Sequence, residues 1–182
     1  LITSVCSWMG FAWCMKYTGC DKHLVVAIGK VLKKMGFLLI PGATLATFIV
    51  NIAIPSAAGC SAAVGVIFIP IMMSAGVHPA MAAAAVKSGT YGSMLNPGLL
   101  HNGVVAKLAG VGIPEVIATH MPATVAGVIV AAVTLTIVAL FLKENKGYVP
   151  ADGEAAVEEI SVNPLCALMP LLPIIILVLG MT

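Results

Sequence analysis

Charge is what this sequence has least of. Only 9% of its 182 residues are Asp, Glu, Lys or Arg, and all nine cations are lysine; arginine is absent. An ordinary soluble domain carries about 25% charged residues, so a water-facing surface would go largely uncoated here. That argues against a soluble enzyme, a nucleic-acid binder and a disordered tail. The cysteines lack a pattern as well. Cys6, Cys14, Cys20, Cys60 and Cys166 show no C-x-x-C or Cys/His ligand spacing. Four of them lie in or beside apolar runs, where a thiol packs as a small hydrophobe rather than binding a metal or forming a disulfide. The apolar runs at Leu1 and Thr182 read as pieces cut from a longer polytopic chain, and the first is not read as a signal peptide.

What the chain does have is apolar sequence, 60% of all residues, with a mean hydropathy of +1.11. The reading is an integral membrane protein. Its charges are clustered: six of the sixteen fall in residues 16–34 and seven in 143–159, leaving Lys87, Lys107 and Glu115. The net charge of +2 says little about partners, because the sidedness of the lysines matters more than the sum. The expected class is all-α and multi-pass, with a bilayer as partner and no nucleic acid.

Seven segments follow. Residues 1–15 read as a transmembrane helix. Residues 16–36 are a polar break and then an amphipathic helix, with Leu24, Ala27, Ile28, Val31, Leu32 and Met35 on one face and lysines on the other; it suits the membrane interface. Residues 37–75 form an apolar hairpin interrupted near 55–59, either re-entrant or two spans. Residues 79–111 form a transmembrane helix broken near 93–98, and 115–142 form a full span. Residues 143–163 are a solvated linker and 164–182 begin another helix. With the lysine-rich 16–34 placed in the cytoplasm, His78, Lys143 and Lys146 also fall on that side.

The two interruptions carry the chemistry. Irregular backbone at membrane depth is costly unless it is buried in protein or lines a watery cavity. The first is Asn51-Ile52-Ala53-Ile54-Pro55-Ser56-Ala57-Ala58-Gly59, and the second is Ser88-Gly89-Thr90-Tyr91-Gly92-Ser93-Met94-Leu95-Asn96-Pro97-Gly98. Ser56 or Ser61 can cap the helix after the first; Asn96, followed by Pro97, is placed to cap the helix after the second. Half-helices starting there would aim N–H groups and positive dipole ends at an anion. Oxygen groups from Asn51, Ser56, Thr90, Ser93 and Asn96 would suit Na⁺. A single Pro can be a mere kink; two adjacent polar breaks, each followed by an undersized helix, point to a transporter site. Lys87 is either an intramembrane functional cation or a snorkelling lysine. His101 with Asn102 is close enough in sequence to join a polar network, whereas His120 reads as structural. The Gly59/Ala63 pair and the Ala80–Ala85 run read as close helix packing.

At these strings the sequence resembles the anaerobic four-carbon dicarboxylate carriers of the DcuC type, within the wider ion-transporter superfamily. The resemblance spans about Phe11 to Lys143 and rests on Ile54-Pro55-Ser56-Ala57-Ala58-Gly59 and Ser93-Met94-Leu95-Asn96-Pro97-Gly98. It implies one inverted repeat of an elevator-type transporter, working as a homodimer in the bacterial inner membrane. It implies substrate contacts from Asn51, Pro55, Ser56, Ala57, Gly59, Ser93, Asn96, Pro97 and Gly98, with Lys87, His101 and Asn102 as further candidates. The superfamily's Ser-Asn-Thr triplet is absent, so the coupling ion, Na⁺ or H⁺, stays open; no other cofactor is expected. Secondary transport of succinate, fumarate or malate is the leading reading. A sodium/proton antiporter or the membrane subunit of a binding-protein-dependent carrier are alternatives. An intramembrane hydrolase is a weaker one, because Ser56, Ser61 and Ser93 have no His at an interpretable spacing.

Overall fold

The computed structural model describes residues 2–32, 38–150, 162–172 and 175–176. Lys33, Lys34, the acidic stretch 151–161 and most of the last apolar run beyond Leu172 lie outside these described residues. Every regular element within them is helical. In order they are α1 (Ile2–Thr18), α2 (Cys20–Leu32), α3 (Leu39–Ala53), α4 (Ala57–Ser74), α5 (Pro79–Gly89), a 3-10 turn (Gly92–Leu95), α6 (Leu100–Ala109), α7 (Ile113–Phe141) and α8 (Pro164–Leu168), followed by the 3-10 turn Met169–Leu171.

Local chemistry explains most of the boundaries. The polar string Lys16–His23 forms no extended loop. α1 runs through it to Thr18, and Gly19, at φ +73°, turns directly into α2. α3 ends where Pro55 restricts the preceding residue and offers no N–H. α4 then restarts with Ser56 as its cap, the hydroxyl accepting the Gly59 N–H at 3.1 Å. Pro79 stands at the first turn of α5 behind a His78 cap whose Nδ1 accepts the Ala80 N–H. Gly110, at φ +70°, closes α6 in the left-handed conformation.

α3 and α4 make a helical hairpin, with α5 packed against both and α7 along α3, α5 and α6. The core between α2, α3, α4 and α5 is built on Val25, Val50, Val64, Phe68, Met72 and Val77. α2 directs its apolar face at this body. Leu24 packs with Ala53 near the hairpin tip, and Gly29 faces Ile67, Phe68 and Ile71 of α4. The turn after α4 and the segment after α7 sit together. The His78 N–H donates to the Glu144 carbonyl, the Tyr148 N–H donates to Gly76, and the two rings meet edge to face.

The alanine run of α5 packs as its small residues suggest, with Ala82 and Ala85 fully buried against α3 and α4, but the Gly59/Ala63 pair does not mark a close approach. A Cβ on Gly59 would meet only the side chain of its own cap, Ser56. Gly89 lies against Thr47 and the Thr44 carbonyl, and Gly92 lies against the Phe48 carbonyl. Glycine there lets the end of α5 and the 3-10 turn touch the backbone of α3. Two helices, α4 and α7, are long and apolar enough to cross a membrane among the described residues. The 29-residue α7 is about 43 Å long and exposes Ile129, Val133, Ile137 and Phe141 along its length. An apolar surface of that extent calls for lipid or another protein surface over it.

Candidate functional site

The C-terminal end of α3 leaves carbonyls that its own ladder cannot satisfy. Two buried asparagines answer this by reaching across the fold. Asn51 Nδ2 donates to the Ile54 carbonyl at 3.0 Å, while its Oδ1 accepts the Ser93 N–H at 2.6 Å. Asn96 Nδ2 donates to the Ile52 carbonyl at 2.6 Å, while its Oδ1 accepts the Gly98 N–H at 2.6 Å. Each asparagine thus joins one helix interruption to the other, across 42 and 44 residues of sequence. Both side chains are fully buried. The result is a crossed clasp between the α3–α4 tip and the break that separates α5 from α6.

This geometry corrects the expected capping role of Asn96. The helix after the break starts at Leu100, not at Pro97, and its cap residue Leu99 makes no side-chain bond. Asn96 instead holds an Asx-type turn at Pro97-Gly98. Its carbonyl accepts from Asn102 Nδ2 at 3.0 Å, and the same amide donates to the Met94 carbonyl at 2.9 Å. Because that amide nitrogen is engaged, Asn102 Oδ1 faces α7 and accepts from His120 Nε2 at 3.2 Å. His120 therefore carries its proton on Nε2, with Nδ1 3.2 Å from the Thr124 hydroxyl. His101, the other half of the sequence pair, is exposed on α6.

The remaining candidates divide into two groups. Ser56, Ala57 and Gly59 form the cap and first turn of α4, with no hydrogen bond to residues 90–98 among the described residues. Lys87 and Thr90 turn instead towards α7, where they help to line a cavity of about 420 Å³. No side chain from the clasp lines that cavity. No cluster of three or more His, Cys, Asp or Glu residues suited to a metal exists among the described residues. Oxygen ligands for a cation would have to come from hydroxyls, amides and the carbonyls of the break.

Residues 2–182 match the family model DcuC, described as C4-dicarboxylate anaerobic carrier. The chain belongs to this family. It is similar to two Haemophilus influenzae proteins, each named only as an uncharacterized transporter. One is 61% identical over 82 residues, which is 45% of this chain and 57% of that protein. The other is 35% identical over 95 residues, which is 49% of this chain and 34% of that protein. The matched stretches thus span about half and a third of those relatives. No solved structure matches. Membership of this carrier family agrees with the apolar composition of a membrane protein.

Within this carrier-family chain, His120, read from the sequence as structural, joins the polar network, and Thr124 is the member that sequence reasoning missed. The available signal was a His and a Thr one helical turn apart in an otherwise apolar span. Removing the imidazole would leave the buried Asn102 Oδ1 without its donor. His120→Ala should therefore lower stability by about 1–3 kcal/mol. Thermal unfolding of the purified full-length protein in detergent would show this; an unchanged midpoint would mean that the relay does not bear on the fold.

Proposed function

We propose that this chain supplies a substrate-binding unit of a secondary active transporter for small dicarboxylates of the succinate, fumarate or malate type. The observation that carries this reading is the clasp of two interrupted helices inside a chain of the C4-dicarboxylate anaerobic carrier family. The exposed cap Ser56 and the first-turn N–H groups of Ala57 and Ala58 face away from the α4 ladder, as a carboxylate requires. Gly59 and Gly98 keep the backbone free of side-chain bulk at the same two interruptions, while Pro55 and Pro97 keep it from continuing a helical ladder there. Ser93, beside the clasp, has a hydroxyl without a partner among the described residues. With the carbonyls of the break it would supply oxygen ligands for a coupling Na⁺, whereas Thr90 turns away towards α7; a coupling proton is the other possibility. Asn51 and Asn96 hold the two interruptions in register.

In the whole carrier, a second hairpin-and-break unit related by inversion would complete the site. Two copies of the full protein would pair in the bacterial inner membrane. Alternating access would then move the clasped interruptions as one body between the two faces. The deciding experiment is uptake of labelled succinate by the full-length protein reconstituted in liposomes. Accumulation or exchange driven by a sodium or proton gradient is expected. No uptake and no exchange under any imposed gradient would overturn the assignment.

A further inference from the structure

The cavity between the end of α5 and α7 has two unlike walls. One carries Lys87, Ser88 and Tyr91; the other is the small-residue face Ala123, Gly127 and Ala131. The Thr90 hydroxyl, also in the wall, is engaged with the Lys87 carbonyl at 2.7 Å. The Lys87 ammonium and the Ser88 and Tyr91 hydroxyls have no hydrogen-bond or ion-pair partner among the described residues. The polar wall therefore presents a cation and two hydroxyls to an open groove of about 420 Å³, with Lys87 and Tyr91 both exposed to it.

Position makes this cation unusual. Gly127, in the opposite wall, is the middle residue of α7. Glu115, in the first turn of that helix, stands twelve residues earlier, about 18 Å of rise away. No acidic residue occurs anywhere between Asp21 and Glu115 in the sequence. On α5, Lys87 lies eight residues beyond Pro79, about 12 Å along the helix from the His78 turn. A lysine facing the middle of a membrane-spanning helix without a carboxylate partner is costly unless something anionic joins it.

We propose that this cavity is an anion site for a short-chain carboxylate, distinct from the Asn51–Asn96 clasp. The carboxylate sits on Lys87 Nζ with the Ser88 and Tyr91 hydroxyls, and the carbon chain lies along Ala123, Gly127 and Ala131. The proposal rests on the carrier reading only in placing α7 across a bilayer. A carboxylated or phosphorylated lipid headgroup has the same anionic chemistry, and the vesicle composition in the test separates the two.

The test uses the full-length protein in zwitterionic vesicles, with acylation of Lys87 followed by mass spectrometry and exposed Lys107 as the internal reference. Succinate and butyrate should each slow acylation of Lys87 roughly tenfold at saturation and leave Lys107 unchanged. Lys87→Gln should weaken equilibrium binding of butyrate by about tenfold or more, and Lys87→Arg should restore most of it. A Cβ on Gly127 would stand 3.7 Å from the Tyr91 ring, an ordinary contact. Gly127→Leu should therefore fold, fill the apolar wall and abolish the protection. Three outcomes would overturn the proposal: no protection by either carboxylate, protection only in vesicles containing anionic lipid, or full protection in Gly127→Leu. Protection of Lys87 without succinate uptake would count against the carrier reading and leave this site standing. Uptake without protection would do the reverse.

Discussion

Asn96→Ala is expected to abolish dicarboxylate uptake by the full-length protein and to lower its stability by roughly 2–5 kcal/mol. The side chain makes two bonds at 2.6 Å, to the Ile52 carbonyl and from the Gly98 N–H, and is fully buried. Alanine leaves both backbone groups without a partner, and each orphaned group costs about 1–3 kcal/mol. Asn96→Asp separates the two functions. It keeps an oxygen for the Gly98 N–H but sets a second oxygen against the Ile52 carbonyl, so it should be at least as damaging. Asn51→Ala should cost somewhat less: it orphans the Ser93 N–H, but the Ile54 carbonyl keeps the Ser56 N–H at 2.8 Å. If the two asparagines form one clasp, the double substitution will cost clearly less than the sum of the singles. Strict additivity in thermal or denaturant unfolding would mean that the two bridges act independently. Wild-type uptake by both single variants would remove the clasp from the transport mechanism.

The second large effect is expected at Gly92. A Cβ there would run into the Phe48 carbonyl oxygen, with the Phe48 carbonyl carbon at 2.9 Å and Ile52 Cγ1 at 3.3 Å. The obstacle is backbone in the middle of α3, so no side-chain rotation relieves it. Either α3 or the 3-10 turn must move, and movement of the turn withdraws the adjacent Ser93 N–H from Asn51. Gly92→Ala should therefore combine overpacking with loss of half the clasp, for a total of about 3 kcal/mol or more. Poor folding yield, or an unfolding midpoint far below wild type, is the expected observation. Gly112→Ala is the control: its Cβ would meet only Pro114 Cδ, at 3.6 Å, so only the modest loss of a glycine helix cap, well below the Gly92 effect, is expected. Equal effects at the two positions would show that the close approach at Gly92 is not what holds the turn to α3.

Much of the local structure can be read from short strings. Pro55 and Ser56 end one helix and cap the next, and Pro79 and Gly110 mark helix ends for reasons contained within a few residues. The two polar interruptions stand out because Asn, Ser, Pro and Gly cluster there in an otherwise apolar chain. Asn96 shows where such reading stops. Its local context suits a helix cap equally well, and only a carbonyl supplied by Ile52, 44 residues away, draws it into the clasp. Close packing was legible only in part: Ala82 and Ala85 pack as expected, whereas Gly59 and Ala63 have the spacing but Gly89 and Gly92 have the backbone of α3 against them.

By itself, then, the sequence determined a helical membrane protein of the C4-dicarboxylate carrier family, and it marked several helix ends, at Pro55, Pro79 and Gly110. Those properties follow from composition and from interactions within a turn or two of chain. The tertiary structure alone decided that Asn51 and Asn96 bridge the two interruptions. It also decided that His120 supports them through Asn102, and that Lys87 faces the middle of α7 rather than the clasp. Each of these pairings joins residues 18 or more positions apart. No local periodicity encodes such a contact; it exists only once packing has brought the helices together and left particular carbonyls, amides and a lysine in need of partners.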